Sequence, residues 1–141
     1  MMKSFALSIA TAFTLFTATS VIADTVANFT GTWINQRGST LILEAADGHN
    51  LNGTFNTAVA NTKSCIGKAV PLQGVHNGNA AAFSLSMESC GSPVTIALSG
   101  TLQVDENHQE TLHTMDLVQW KGQESWKSKV IGTDTFVRAV K

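Results

Sequence analysis

What constrains this chain most is a two-residue alternation of apolar and polar side chains. It runs from Gly31 to Val137 and is broken by turn clusters about every 8 to 16 residues. Period two puts successive side chains on opposite faces of a strand. No segment carries sustained 3.6-residue periodicity with helix caps. The alternation predicts strands near Gly31–Gln36, Ser39–Ala45, Leu51–Val59, Val70–Val75, Ala80–Met87, Val94–Val104, Thr111–Trp120 and Lys127–Val137. Turn clusters such as Ala46-Asp47-Gly48-His49-Asn50 and His76-Asn77-Gly78-Asn79 separate them. The fold class this predicts is all-β, an eight-stranded antiparallel up-and-down β-barrel. Closure removes exposed sheet edges. A barrel of this strand number is wide enough to hold one small ligand at its open end.

The first residues stand outside that pattern. Met1-Met2-Lys3-Ser4 is a short basic start, Phe5 to Val21 are apolar or small, and Val21-Ile22-Ala23 is a small-x-small cleavage pattern. Residues 1–23 read as a secretory signal peptide and residues 24–141 as the barrel domain. The alternative, a membrane anchor, fits less well: the run is slightly short, contains several Ser and Thr, and lacks a basic stop-transfer cluster. The expected product is secreted or periplasmic, with no membrane attachment after cleavage. In an oxidising compartment Cys65 and Cys90, the two cysteines of the chain, are expected to pair. The alternative is two free thiols. A bridge spanning the 24 residues between them is worth roughly 3 kcal/mol.

Composition excludes several classes. The net charge of −1 argues against a nucleic-acid partner, which calls for a basic excess. Charged residues are 13% of the chain, about half the usual share, so highly charged disorder and salt-bridged helical bundles are both excluded. An enzyme reading has little support. His49, His76, His108 and His113 fall in turns or on the expected outer face, and none forms a metal-spaced pair. No nucleophile elbow, HExxH or phosphate loop occurs. No metal or cofactor is expected. The one catalytic option is a carboxylate pair of Asp116 and Asp134.

Strand phase predicts what faces the barrel interior. Ser39, Leu41 and Leu43 share one face, as do Leu51, Gly53, Phe55, Thr57 and Val59. Ile96, Leu98, Gly100, Leu102 and Val104 form a third set, and Val130, Gly132, Asp134 and Phe136 a fourth. Ser39, Thr57 and Asp134 are the polar exceptions and collect at one end. Polar groups gathered at a barrel mouth are a candidate ligand site.

Three motifs carry a family resemblance. Gly31-Thr32-Trp33-Ile34-Asn35-Gln36-Arg37-Gly38-Ser39 is followed by Leu51-Asn52-Gly53-Thr54-Phe55-Asn56-Thr57-Ala58-Val59. The chain then ends with Trp126-Lys127-Ser128 and Gly132-Thr133-Asp134-Thr135-Phe136. In order and spacing they resemble the avidin/streptavidin family over essentially the whole mature chain. The placement of Cys65 and Cys90 is similar to the disulfide-bridged dimeric branch. The resemblance implies a binder of biotin, and a homodimer or, failing that, a homotetramer. It implies donors to the ureido oxygen at Asn35 and Ser39, acceptors for the ureido N–H groups at Asp134 and Thr57, and a tail contact at Asn61. The family's third oxygen donor is a tyrosine hydroxyl, and here that position is Phe55. Trp33 matches the core tryptophan beneath the site.

The apolar wall departs from the pattern. Met87, Leu98 and Asp116 stand where the family carries aromatic rings, and Ile96 stands where a threonine touches the thioether. Trp126 alone is kept; in tetrameric members it reaches into a neighbour's pocket. Trp120 serves as wall only if the seventh strand slips by four residues. A lost aromatic wall costs roughly 1.5–3 kcal/mol of apolar contact. A missing hydroxyl costs about 1 kcal/mol, and an unpaired buried carboxylate a few more. Against roughly −18 to −21 kcal/mol for biotin–streptavidin, the sum predicts biotin binding of reduced affinity. The second reading is a pocket changed to a more polar or cationic small ligand, with no significant biotin binding.

Overall fold

The computed structural model describes residues 27–60, 63–88, 93–121 and 129–140. The expected signal peptide lies outside the described residues. So do Asn61, Cys90 and Trp126.

Eight strands follow one another: β1 (Gly31–Asn35), β2 (Thr40–Ala45), β3 (Asn50–Asn56), β4 (Ala69–Asn77), β5 (Ala80–Met87), β6 (Val94–Val104), β7 (Glu110–Trp120) and β8 (Lys129–Arg138). Each pairs antiparallel with the next. β8 closes on β1 through Trp33↔Arg138, Ile34↔Val137 and Asn35↔Phe136. The result is the closed up-and-down barrel that the alternation predicts. Burial follows the same period: β5 alternates strictly between exposed and buried from Ala80 to Met87.

The boundaries differ where side chains compete with the sheet. The third strand stops at Asn56 rather than Val59. There the Thr57 hydroxyl donates to the Val59 carbonyl at 2.6 Å and accepts from the Val59 N–H at 3.3 Å. This local bond replaces the ladder, and Val59 turns out to be 49% exposed. β4 is longer than expected at both ends. Val104, expected inward, is exposed because β6 runs past the rim of the barrel. His76 is also placed differently: its ring packs on Phe29 at 5.4 Å and on His49 at 5.6 Å, and its Nδ1 is buried.

The core fills the half of the barrel away from the β1–β2 turn. Trp33, Leu41, Leu112 and Phe136 are fully buried. Trp33 Nε1 donates to the Phe29 carbonyl at 2.9 Å, and the Arg138 guanidinium lies 4.2 Å from the Trp33 ring centroid. Arg138 also bonds Glu110 and the carbonyls of Asn28 and Thr30. It thereby ties the entry segment to β7 and β8. At Gly53 and Gly100 neighbouring backbone passes so close that a Cβ would sit 1.9 Å from the carbonyl oxygens of Ile42 and His113 respectively. Only glycine fits those two inward positions. The opposite half is left open.

Candidate ligand-binding site

The open half is a cavity of about 700 Å3. It is large enough for a single small molecule. Every expected site residue among the described ones lines it: Asn35, Ser39, Phe55, Thr57, Met87, Leu98, Asp116 and Asp134. Ile96 lines it too. Cys65, at the end of the short 3-10 turn Lys63–Cys65, is buried against its rim. No free cysteine occurs among the described residues.

The polar end is organised by the β1–β2 turn. Asn35 Oδ1 accepts from the backbone N–H groups of Arg37 (3.0 Å) and Ser39 (2.8 Å). Its Nδ2 donates to Asp134 Oδ2 at 3.0 Å. The amide is thus fixed in one orientation, with its second N–H left over. Asp134 Oδ1 also accepts from Gln36 Nε2 at 2.9 Å and pairs with Arg37 Nη2 at 3.0 Å. Three donors hold Asp134, and a carboxylate takes about four, so one acceptor position remains. Ser39 Oγ accepts the Ala58 N–H at 3.0 Å, which leaves its own proton to donate. Thr57 has given its proton to Val59 and is left as an acceptor. All four residues are buried. The cavity therefore offers two donors, on Asn35 and Ser39, beside two acceptors, on Asp134 and Thr57.

The walls are apolar apart from one residue. Phe55, Met87 and Leu98 are buried and face the cavity. Asp116 is 7% exposed, and its Oδ1 accepts from the Thr114 hydroxyl at 2.6 Å. The pairing Leu98↔Asp116 puts it in the wall without any slip of β7. Burial pushes its carboxyl up to about 6; the Thr114 bond pulls it down, and the adjacent Asp134 raises it further.

Among the lining residues not read as such from the sequence, Arg37 and Trp120 matter most. Arg37 falls in the gap between the first two predicted strands, although it stands between two site positions, Asn35 and Ser39. Trp120 lines the cavity with β7 in its expected register, so no slip is needed. Its signal was available: Asp116, Val118 and Trp120 share one strand phase, and all three line the cavity. Val130 lines the cavity as well, and is half-exposed because it sits at the mouth.

The Avidin family model matches residues 23–139. The chain belongs to the avidin family. Among solved structures it is similar to xenavidin, at 28% identity over 79% of this chain and 98% of that one, with a TM-score of 0.71. A shwanavidin variant crystallised with biotin is 27% identical over 80% of this chain and 99% of its own, with a TM-score of 0.67. The biotin-binding protein from chicken shares the fold, with 24% identity, coverage of 82% and 98%, and a TM-score of 0.72. Avidin-family proteins are binders of biotin rather than enzymes, and biotin is their ligand. They form oligomers.

Proposed function

We propose that this chain binds biotin in the open half of its barrel, more weakly than the tightest members of the family. One observation carries the reading: the paired donors of Asn35 and Ser39 stand beside the paired acceptors of Asp134 and Thr57 at the polar end of an apolar cavity. A urea presents the complement, one carbonyl flanked by two N–H groups. The weakening follows from Phe55, which has no hydroxyl, and from Met87, Leu98 and Asp116, which replace ring surface. Trp120 offsets part of that loss. Asn61 is assigned to the tail of the ligand and Trp126 to a neighbour's pocket on resemblance alone.

The surrounding biology belongs to the same proposal. Residues 1–23 direct export and residues 24–141 form the barrel, which acts in a secreted or periplasmic setting. Cys65 pairs with Cys90; the burial of Cys65 at the cavity rim and the end of β5 at Met87, three residues before Cys90, support this. The assembly is a homodimer, and a homotetramer is its competitor. The exposed apolar side chains Met115, Leu117 and Ile131 on the outer face of β7 and β8 support self-association. Titrating tryptophan fluorescence with biotin tests the site. Asp134→Ala should weaken binding at least tenfold while the barrel stays folded, and unchanged affinity would place the ligand elsewhere.

A further inference from the structure

We propose that Asp116 is the specificity-determining residue of this cavity, and that it shifts the selectivity of the site away from the neutral urea and toward an isosteric ligand with a planar guanidinium-type cationic head. The inference rests on the reading above, that a urea-shaped head docks among Asn35, Ser39, Thr57 and Asp134.

Asp116 is close to that head. It lines the same cavity, it is only 7% exposed, and it lies within hydrogen-bonding reach of Asp134, which lines the cavity too. The groups around it leave its charge poorly balanced. β6 presents Leu98 directly across from it, and β8 presents Gly132 and Asp134. Thr114 on its own strand gives one hydrogen bond. Among the described residues the cation acting on it is Arg37, which is about half-exposed and already holds Asp134 and the Thr133 carbonyl. Two carboxyl groups thus share one partly hydrated guanidinium. This is why burial and Asp134 together hold the Asp116 proton to a higher pH than usual.

A cation in the head would satisfy both acids. Carboxylates bind guanidinium-type groups through charge-assisted, directional N–H bonds, and the attraction is strengthened in a cavity of low dielectric. The exchange of C=O for C=NH2+ has a cost at the oxygen-reading end, where the fixed Asn35 amide keeps its leftover N–H, and two features limit that cost. Phe55 has no hydroxyl proton to oppose the new N–H groups. The Ser39 hydroxyl has a free rotor and a second lone pair beyond the one filled by Ala58, so it turns from donor to acceptor. The remaining walls, Phe55, Met87, Leu98 and Trp120, suit an apolar body whichever head it carries.

The test is calorimetric titration of the full mature protein at pH 8. The ligands are biotin and its cyclic guanidine analogue, in which nitrogen replaces the ureido oxygen. Wild type is compared with Asp116→Asn, which keeps the size of the side chain and an acceptor for Thr114. The affinity ratio of analogue to biotin should be at least about tenfold higher in wild type than in the variant, roughly 1.4 kcal/mol. At pH 5, where Asp116 takes up a proton, the wild-type ratio should fall toward that of the variant. Both ligands carry the same tail, so its titration cancels. Equal ratios in the two proteins at pH 8, with both ligands binding, overturn the role of Asp116 and leave the docking reading intact. If neither ligand binds either protein, the docking reading fails and takes this inference with it. Should the variant not fold, the pH comparison on wild type decides: a ratio that does not change between pH 8 and pH 5 overturns the proposal.

Discussion

Replacing Asp116 by asparagine should stabilise the barrel at neutral pH and leave it nearly unchanged in acid. The carboxyl is buried in the cavity wall and is pushed from 3.8 up to about 6, first by burial and then by Asp134, against the opposing pull of Thr114 and Arg37. The folded value lies above the unfolded one, so between the two the folded chain binds more protons. Stability therefore falls as pH rises through that window, and the full cost of ionising Asp116 is present above about 6. At about 1.36 kcal/mol per unit, the cost is roughly 2 to 3 kcal/mol. Asparagine has the same shape, keeps the acceptor for Thr114 Oγ1 and carries no charge to desolvate. Urea unfolding of both proteins, with cysteines in their native state, should show the variant gaining about 2 to 3 kcal/mol on wild type between pH 4 and pH 8. Carboxyls outside the Asp116–Asp134 pair titrate in both proteins, so the difference reports position 116 together with its coupling to Asp134. A stability difference independent of pH would refute the assignment of Asp116 to the wall.

Phe55→Tyr should return a third donor to the polar end of the cavity and tighten biotin by about 1 kcal/mol, near fivefold; calorimetry on the two proteins checks it, and no gain would mean that the ureido oxygen lies elsewhere. Gly100→Ala should cost about 3 kcal/mol or more, because its Cβ would meet the His113 carbonyl oxygen at 1.9 Å in the β6–β7 ladder; thermal unfolding reads it, and a near-neutral result would contradict the register Gly100↔Thr114. Thiol titration of denatured, unreduced protein should find no free cysteine, and Cys65→Ser should lose roughly 3 kcal/mol of stability; two reactive thiols per chain would remove the bridge from the account.

The barrel was legible because each strand buries one face, and period two records that directly. β5 is the clearest case, alternating small or polar outward residues with Ala81, Phe83, Leu85 and Met87 inward. The third strand was read too long because Thr57-Ala58-Val59 keeps the alternation while the Thr57 side chain leaves the ladder for a local bond. Periodicity is blind to such competition. The site residues were found through motif positions and strand phase together. Phase alone brought Ser39, Thr57 and Asp134 to one end, while assigning each a role needed the family pattern. Arg37 escaped because turn positions have no phase, and its pairing with Asp134 spans 97 positions of sequence. Trp120 escaped for the opposite reason. Comparison with the family pattern drew attention to the missing ring at Asp116, while the same strand supplied one two inward positions closer to the mouth.

Calorimetric titration of the mature wild-type chain with biotin tests the central claim most directly. The account predicts saturable binding of one biotin per barrel, with a dissociation constant between about micromolar and nanomolar, roughly −8 to −12 kcal/mol, and release within minutes. Absence of any heat up to millimolar biotin, from a protein with an intact barrel, would contradict it.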